Sequence, residues 1–178
     1  MVYMFLANGF EETEAIGCLD VLKRAKIDVC TAGVGGKQIT GSHSVTVIAD
    51  ILAQDVDWEN IDGVILPGGM PGTTNLQNDE TVIKAVKTCC EKDALVAAIC
   101  AAPMILGGLG ILNGKNAVCY PGFEEYLTGA KVKSDFVVAD GNVITAKGAG
   151  ASMLFGAKIA DWFKPGTGRE ILDQMQHI

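Results

Sequence analysis

Cys100 is the side chain in this sequence best placed to do chemistry: the apolar run Leu95-Val96-Ala97-Ala98-Ile99 ends at it, and Ala101-Ala102-Pro103 follows. A short continuous apolar run reads as a parallel strand buried on both faces. Proline suits the first turn of a helix, where its missing N–H would have no helical partner. The thiol then sits at a strand-to-helix turn, facing the positive end of a helix dipole. That placement predicts a thiolate, with a pKa lowered from about 8.5 into the range of about 3.5 to 7.5. The pattern matches the nucleophile elbow of α/β enzymes, with alanines in place of its glycines, and small neighbours let a substrate approach.

Two more loops follow strand-like runs and should open at the same sheet edge, residues 8–14 and residues 67–72. The first carries Glu11, Glu12 and Glu14 at the start of a helix. Acidic residues there favour the dipole, and Glu11 and Glu12 fit a capping role. Glu14 lies one turn in, beside the apolar stripe, where it projects towards the sheet. A carboxyl buried against Cys100 would have a raised pKa, stay protonated, hydrogen-bond the thiolate and shuttle protons. The second loop, Pro67-Gly68-Gly69-Met70-Pro71-Gly72, can bring backbone N–H groups close because glycine presents no side chain. With the Ala101 N–H it makes a candidate oxyanion hole.

Histidine gives little support to a Cys-His-acid triad. His43 falls in a polar loop and reads as solvated, and His177 lies at the C-terminal end. Of the other cysteines, Cys18, Cys30, Cys89 and Cys90 fall within helices or strands and read as small apolar residues. Cys119 precedes Tyr120-Pro121 in a connection that could lie nearer the site.

These residues must be positioned by alternating strands and helices, the pattern of a parallel sheet covered on both faces. Strands are expected at residues 2–6, 27–32, 63–66 and 95–99, with an edge strand or hairpin arm at 45–48. A further short segment falls at 117–118, followed by a pair at 136–139 and 143–145. Helices are expected at 11–25, 79–92, just after Cys100, at 151–163, and from residue 166 to Ile178. In the first helix Ala15, Ile16, Leu19, Val21 and Leu22 are expected to supply the apolar stripe.

The chain's 178 residues suit a single domain spanning 1–178, able to bury about two thirds of its unfolded surface. Six cysteines without a basic leader read as reduced thiols in the cytoplasm rather than a secreted disulfide framework. Fourteen basic against twenty-one acidic residues, with no basic cluster, argue against nucleic acid as a partner. Residues 94–112 carry no charge and meet the length of a membrane span, but Pro103, Gly107, Gly108 and Gly110 divide them into a strand and a short helix. Adjacent Cys89-Cys90 lacks the spacing of a tetrahedral metal site, so no metal is expected.

Four motifs, in order, carry a resemblance: Asn8-Gly9-Phe10-Glu11-Glu12-Thr13-Glu14, Leu66-Pro67-Gly68-Gly69, Ala97-Ala98-Ile99-Cys100-Ala101-Ala102-Pro103 and Lys147-Gly148-Ala149-Gly150-Ala151. Over nearly its full length the chain resembles the ThiJ/PfpI superfamily, most closely the branch of the parkinsonism-associated deglycase and its bacterial relatives. The resemblance implies a flavodoxin-like (class I glutamine amidotransferase-like) three-layer α/β sandwich around a mostly parallel sheet, usually homodimeric. It also implies Cys100 as reactive thiol, Glu14 as its protonated partner, and Gly69 and Ala101 as oxyanion amides. The chain departs from the PfpI-type proteases at Ala101, where they carry a histidine. It departs from the human branch at Tyr120 (histidine there), His43 (arginine) and Ala149 (proline). Tyr120 can donate a hydrogen bond to a substrate oxygen but is a poor base at neutral pH.

The expected activity is a cofactor-independent, cysteine-dependent reaction on small reactive aldehydes, glyoxalase III-like or deglycase-like, with Cys100 and Glu14 catalytic and Gly68, Gly69, Ala101 and Tyr120 binding substrate. The alternative is a redox sensor in which Cys100 is oxidised to a sulfinate. Thiazole phosphate chemistry finds no basic phosphate cradle, and a protease would lack its base.

Overall fold

A computed structural model describes residues 1–177. The chain runs β1 (Val2–Leu6), α1 (Glu12–Arg24), β2 (Val29–Gly33), β3 (Gln38–Thr40), β4 (Thr46–Ile48), β5 (Ile51–Leu52), β6 (Gly63–Leu66), α2 (Gly72–Gln77), α3 (Glu80–Glu91) and β7 (Leu95–Ile99). It continues through α4 (Pro103–Gly108), β8 (Asn116–Ala117), β9 (Lys131–Val132), β10 (Val137–Asp140), β11 (Val143–Ala146), α5 (Ser152–Phe163) and α6 (Thr167–Gln174). Among the described residues, seven strands form one sheet in the order β10-β11-β7-β6-β1-β2-β5. Neighbours are parallel except for the β10–β11 edge pair.

The sheet is buried on both faces, so its central strands need no polar positions. In β1, Val2, Met4 and Leu6 face one apolar layer and Tyr3 and Phe5 the other; in β7, Leu95, Ala97 and Ile99 alternate with Val96 and Ala98 in the same way. One layer is completed by α1, α5 and α6, the other by α2, α3 and α4, giving the expected three-layer sandwich. Because β2 leaves β1 on one side and β6 on the other, strand order reverses at β1. In such a sheet the crevice at the carboxyl ends is where ligands bind.

Where α1 meets α5 the packing is close. A Cβ on Gly156 would lie 2.9 Å from the Val21 Cβ and 3.1 Å from the Cys18 carbonyl oxygen. Alanine at a helix-interior glycine gains about 1 kcal/mol of propensity, but neither neighbour is the free end of a flexible side chain, and overpacking of this kind costs about 1–3 kcal/mol. Gly156→Ala is therefore expected to destabilise the fold by about 1 kcal/mol net, measured as a lower midpoint in urea; a raised midpoint would contradict the close packing.

Several boundaries and faces differ from expectation. Ile16 is 44 % exposed, and the buried side of α1 is built instead from Glu14, Ala15, Gly17, Cys18, Val21 and Leu22. At 100° per residue this face is centred between Glu14 and Cys18, with Gly17 and Cys18 packed against α5, and Ile16 projects from the opposite side of the helix. The 45–48 segment is a hairpin arm, since β4 pairs with β3 outside the main sheet. β8 pairs with β9, a strand too short to show in the pattern; β5 and α2 were equally silent. α6 ends at Gln174, short of the expected reach to Ile178: Gln176 takes a left-handed φ of +56°, which breaks the helix, and only residue 178 itself falls outside the described residues. Among the described residues no helix is long and apolar enough to cross a membrane.

Candidate active site

The carboxyl ends of β1, β6 and β7 bring Glu14, Gly68, Gly69 and Cys100 together. Glu11 caps α1, its carboxylate accepting the Glu14 N–H at 2.7 Å, while its own N–H donates to the Gly68 carbonyl at 2.9 Å. The start of the helix and the glycine loop are thus tied to each other. One turn in, Glu14 faces the sheet and is only 1 % exposed. Its Oε2 accepts the Gly68 N–H at 2.8 Å, and its Oε1 has no hydrogen-bond partner. Burial raises the Glu14 pKa to about 7, against the opposing influence of the Cys100 thiol and the Gly68 N–H beside it. A carboxyl with one satisfied and one free oxygen near neutrality can hold a proton and release it.

Cys100 occupies the turn between β7 and α4 with φ of +64°, a left-handed conformation that a side chain rarely adopts. Such a backbone stores about 1–3 kcal/mol and persists only where its surroundings over-determine it. Here the Cys100 N–H donates to the Ala146 carbonyl and its carbonyl accepts the Tyr120 N–H, both at 2.9 Å. Pro103 takes the first helical position, as expected.

The turn suggests a dipole-stabilised thiolate, but the surroundings of the thiol act in the opposite direction. Burial, and then the negative charge of Glu14, push Cys100 up to about 12, while the N–H groups of Gly69 and Ala101 act the other way. The helix that follows has six residues and begins beyond Ala102, so its dipole is weak against these effects. Protonating Glu14 removes its charge and turns an O–H donor towards the sulfur, so the pair shares one proton and one negative charge rather than carrying two charges.

The Gly69 and Ala101 N–H groups face the sulfur, as an oxyanion hole requires. Gly68 has a different task from the expected one: its N–H is committed to Glu14, and a Cβ there would lie 2.6 Å from both the Cys100 Cβ and Glu14 Oε2. Tyr120 joins the site through its backbone, and its ring, half exposed, lies over Gly148. Cys119 is buried, its thiol pushed up by burial to about 11. Burial likewise raises the thiols of Cys18, Cys30, Cys89 and Cys90.

Glu12 and His43 form a clasp rather than a reactive pair. Glu12 Oε1 accepts the N–H groups of His43 (2.8 Å) and Val45 (3.3 Å), and Oε2 meets His43 Nδ1 at 3.0 Å. These hydrogen bonds outweigh burial and hold Glu12 at about 2. Glu11, Glu12 and His43 offer atoms within 4.8 Å of one another, but the two carboxylates are already engaged by the chain's own donors. His43 itself is exposed.

A buried carboxyl, a strained cysteine and two N–H groups at the edge of a parallel sheet mark the candidate site of an α/β protein with a flavodoxin-like sheet. The DJ-1/PfpI family model matches residues 1–161, and the chain belongs to that family. It is 37 % identical over 161 residues to protein dj-1beta of Drosophila melanogaster, covering 89 % of this chain and 86 % of the relative. The crystal structure of Drosophila DJ-1beta superposes with a TM-score of 0.93 at 33 % identity, covering 98 % of this chain and 96 % of that one. A glutathione-independent glyoxalase of Caenorhabditis elegans is 32 % identical over 85 % of this chain and 81 % of its own length. A deglycase of Pyrococcus abyssi is 30 % identical over 82 % and 89 %. Against DJ-1 homolog B of Arabidopsis thaliana, 34 % identical, the chain spans only 36 % of the relative's length.

Proposed function

We propose that this protein converts small α-oxoaldehydes to α-hydroxy acids without a cofactor, methylglyoxal to lactate being the simplest case. The observation that carries this reading is the pairing of Cys100 with a buried Glu14 whose Oε1 is free. Relatives named glyoxalase and deglycase support it.

Glu14 takes the thiol proton as the sulfur attacks the aldehyde carbon. A C–S bond forms, the carbonyl electron pair moves to oxygen, and the Gly69 and Ala101 N–H groups stabilise that charge. Glu14 hands the thiol's proton to that oxygen, giving the hemithioacetal; it then takes the C1 proton and returns it to C2 while the C1 hydroxyl proton passes to the C2 oxygen, so that the ketone becomes an alcohol and C1 a thioester. Water cleaves the thioester, releasing the carboxylate and regenerating the thiol. Overall, one water is added and no external oxidant or reductant is used.

The same residues could hold a sulfinate; what favours attack on a carbonyl is that the free Glu14 oxygen and the two N–H groups facing the sulfur supply the base and the oxyanion stabilisation that this step uses. The test is methylglyoxal turnover with lactate detected directly, wild type beside Cys100→Ser. Lactate from wild type only supports the reading. No turnover, together with dioxygenation of Cys100 by mild peroxide before any other cysteine reacts, replaces it with the sensor.

A further inference from the structure

A cavity of about 300 Å³ is lined by Tyr120, Pro121, Phe136, Lys147 and the turn formed by residues 148–151. Its walls grow from the two segments that hold the Cys100 backbone. Tyr120 donates its N–H to the Cys100 carbonyl, and Lys147 directly follows Ala146, the acceptor of the Cys100 N–H. The space exceeds what a three-carbon aldehyde needs, being at the lower end of the range for much larger ligands, about 300–1,000 Å³.

The lining is mainly apolar apart from one cation. The Phe136 ring is 62 % exposed and lies 5.9 Å from the Lys147 ammonium, whose other contact is a long one, 3.5 Å, to the Ser134 carbonyl. Among the described residues the ion pairs are Met1–Asp62, Arg24–Asp20, His43–Glu12 and Arg169–Asp173, so Lys147 is in none of them. No lysine among the described residues is in an ion pair; what sets Lys147 apart is its place at the rim of this aromatic-walled cavity, next to the segment that holds Cys100, where it is a ready counter-charge for an anion.

We infer that Lys147 recognises a carboxylate at the far end of the substrate, so that the preferred α-oxoaldehydes are acidic ones extended beyond methylglyoxal, with their carbon chain lying against Phe136 and Tyr120. This rests on the aldehyde reading above. It assigns Lys147 to specificity, with no part in bond making.

The probe is γ,δ-dioxovalerate, which is methylglyoxal extended at its methyl carbon by a carboxymethyl group, with α-hydroxyglutarate as the product detected. The ratio of its kcat/KM to that of methylglyoxal is compared in wild type, Lys147→Met and Lys147→Arg. The ratio is expected to fall about two- to fivefold in Lys147→Met and to be largely kept in Lys147→Arg. An unchanged ratio in Lys147→Met, with methylglyoxal still turned over, overturns the carboxylate subsite and leaves the aldehyde reading standing.

A second measurement needs no turnover. Cys100 is alkylated with anionic iodoacetate and with neutral iodoacetamide, and the ratio of the two rates is compared between wild type and Lys147→Met. A ratio at least about threefold higher in wild type supports the subsite even if neither aldehyde reacts, in which case only the aldehyde reading falls. Equal ratios in the two proteins count against it.

Discussion

Glu14→Gln is expected to lower kcat/KM for methylglyoxal by about 10³-fold or more, within the range general acid–base groups contribute, while the protein stays folded. The amide oxygen can still accept the Gly68 N–H now received by Oε2, so the loop geometry survives. What is lost is the exchangeable proton, and with it the means to ionise a thiol that burial holds near 12 and to move a proton between the substrate carbons. Circular dichroism and the unfolding midpoint establish that the variant is folded; retention of most of the turnover would remove Glu14 from the mechanism.

The same variant carries a stability signature that does not depend on activity. The Glu14 pKa is raised from 4.5 to about 7 on folding. Below pH 4.5 the carboxyl is protonated in both states. As pH rises towards 7 the unfolded chain releases the proton while the native state keeps it, so this contribution to stability declines and is fully lost above the folded pKa. Relative to Glu14→Gln, wild type should lose on the order of 3 kcal/mol across that window. Urea unfolding of both proteins at pH values on either side of it measures the difference, and parallel stability curves would mean that folding leaves the proton affinity of Glu14 unchanged.

Gly68→Ala is expected to damage the fold and the site together. The new Cβ would meet the Cys100 Cβ and Glu14 Oε2, each at 2.6 Å, and the Ile99 carbonyl oxygen at 2.9 Å. Ile99 ends a central strand and cannot yield, so the glycine loop must move away from both reacting groups. Overpacking of this kind costs about 1–3 kcal/mol, and a displacement of catalytic groups by about 1 Å can cost about 10²-fold in rate. A lowered urea midpoint together with a kcat/KM reduced by that order is the expected result. An unperturbed Gly68→Ala would show that the loop does not hold Glu14 against the thiol.

Much of this site could be read along the chain. The run 95–99 ending at a cysteine and a proline specifies a buried strand, a turn and a helix start, because burial on both faces removes polar residues from the strand and proline lacks only an N–H that the first turn does not use. Helical periodicity likewise placed Glu14 one turn into α1 and beside its apolar face, where the structure has it buried. The glycines at 68 and 69 announced a close backbone approach.

What tertiary structure decided were the quantities set by neighbours distant in sequence. The Cys100 thiol rises because the sheet, α1 and the glycine loop together exclude water, and the carboxylate beside it comes from the other end of the chain's first half. Gly68 binds Glu14 across 54 positions, a pairing no local pattern encodes. The face of α1 that is buried is the one where α5 meets Gly17 and Cys18, which leaves Ile16 on the far side of the helix. Tyr120, Phe136 and Lys147 line one cavity only after β11 has paired with β7 and brought residue 147 beside residue 100. Periodicity and turn chemistry are local and therefore legible, whereas burial, proton affinity and pocket shape are sums over contacts that exist only once the sheet has closed.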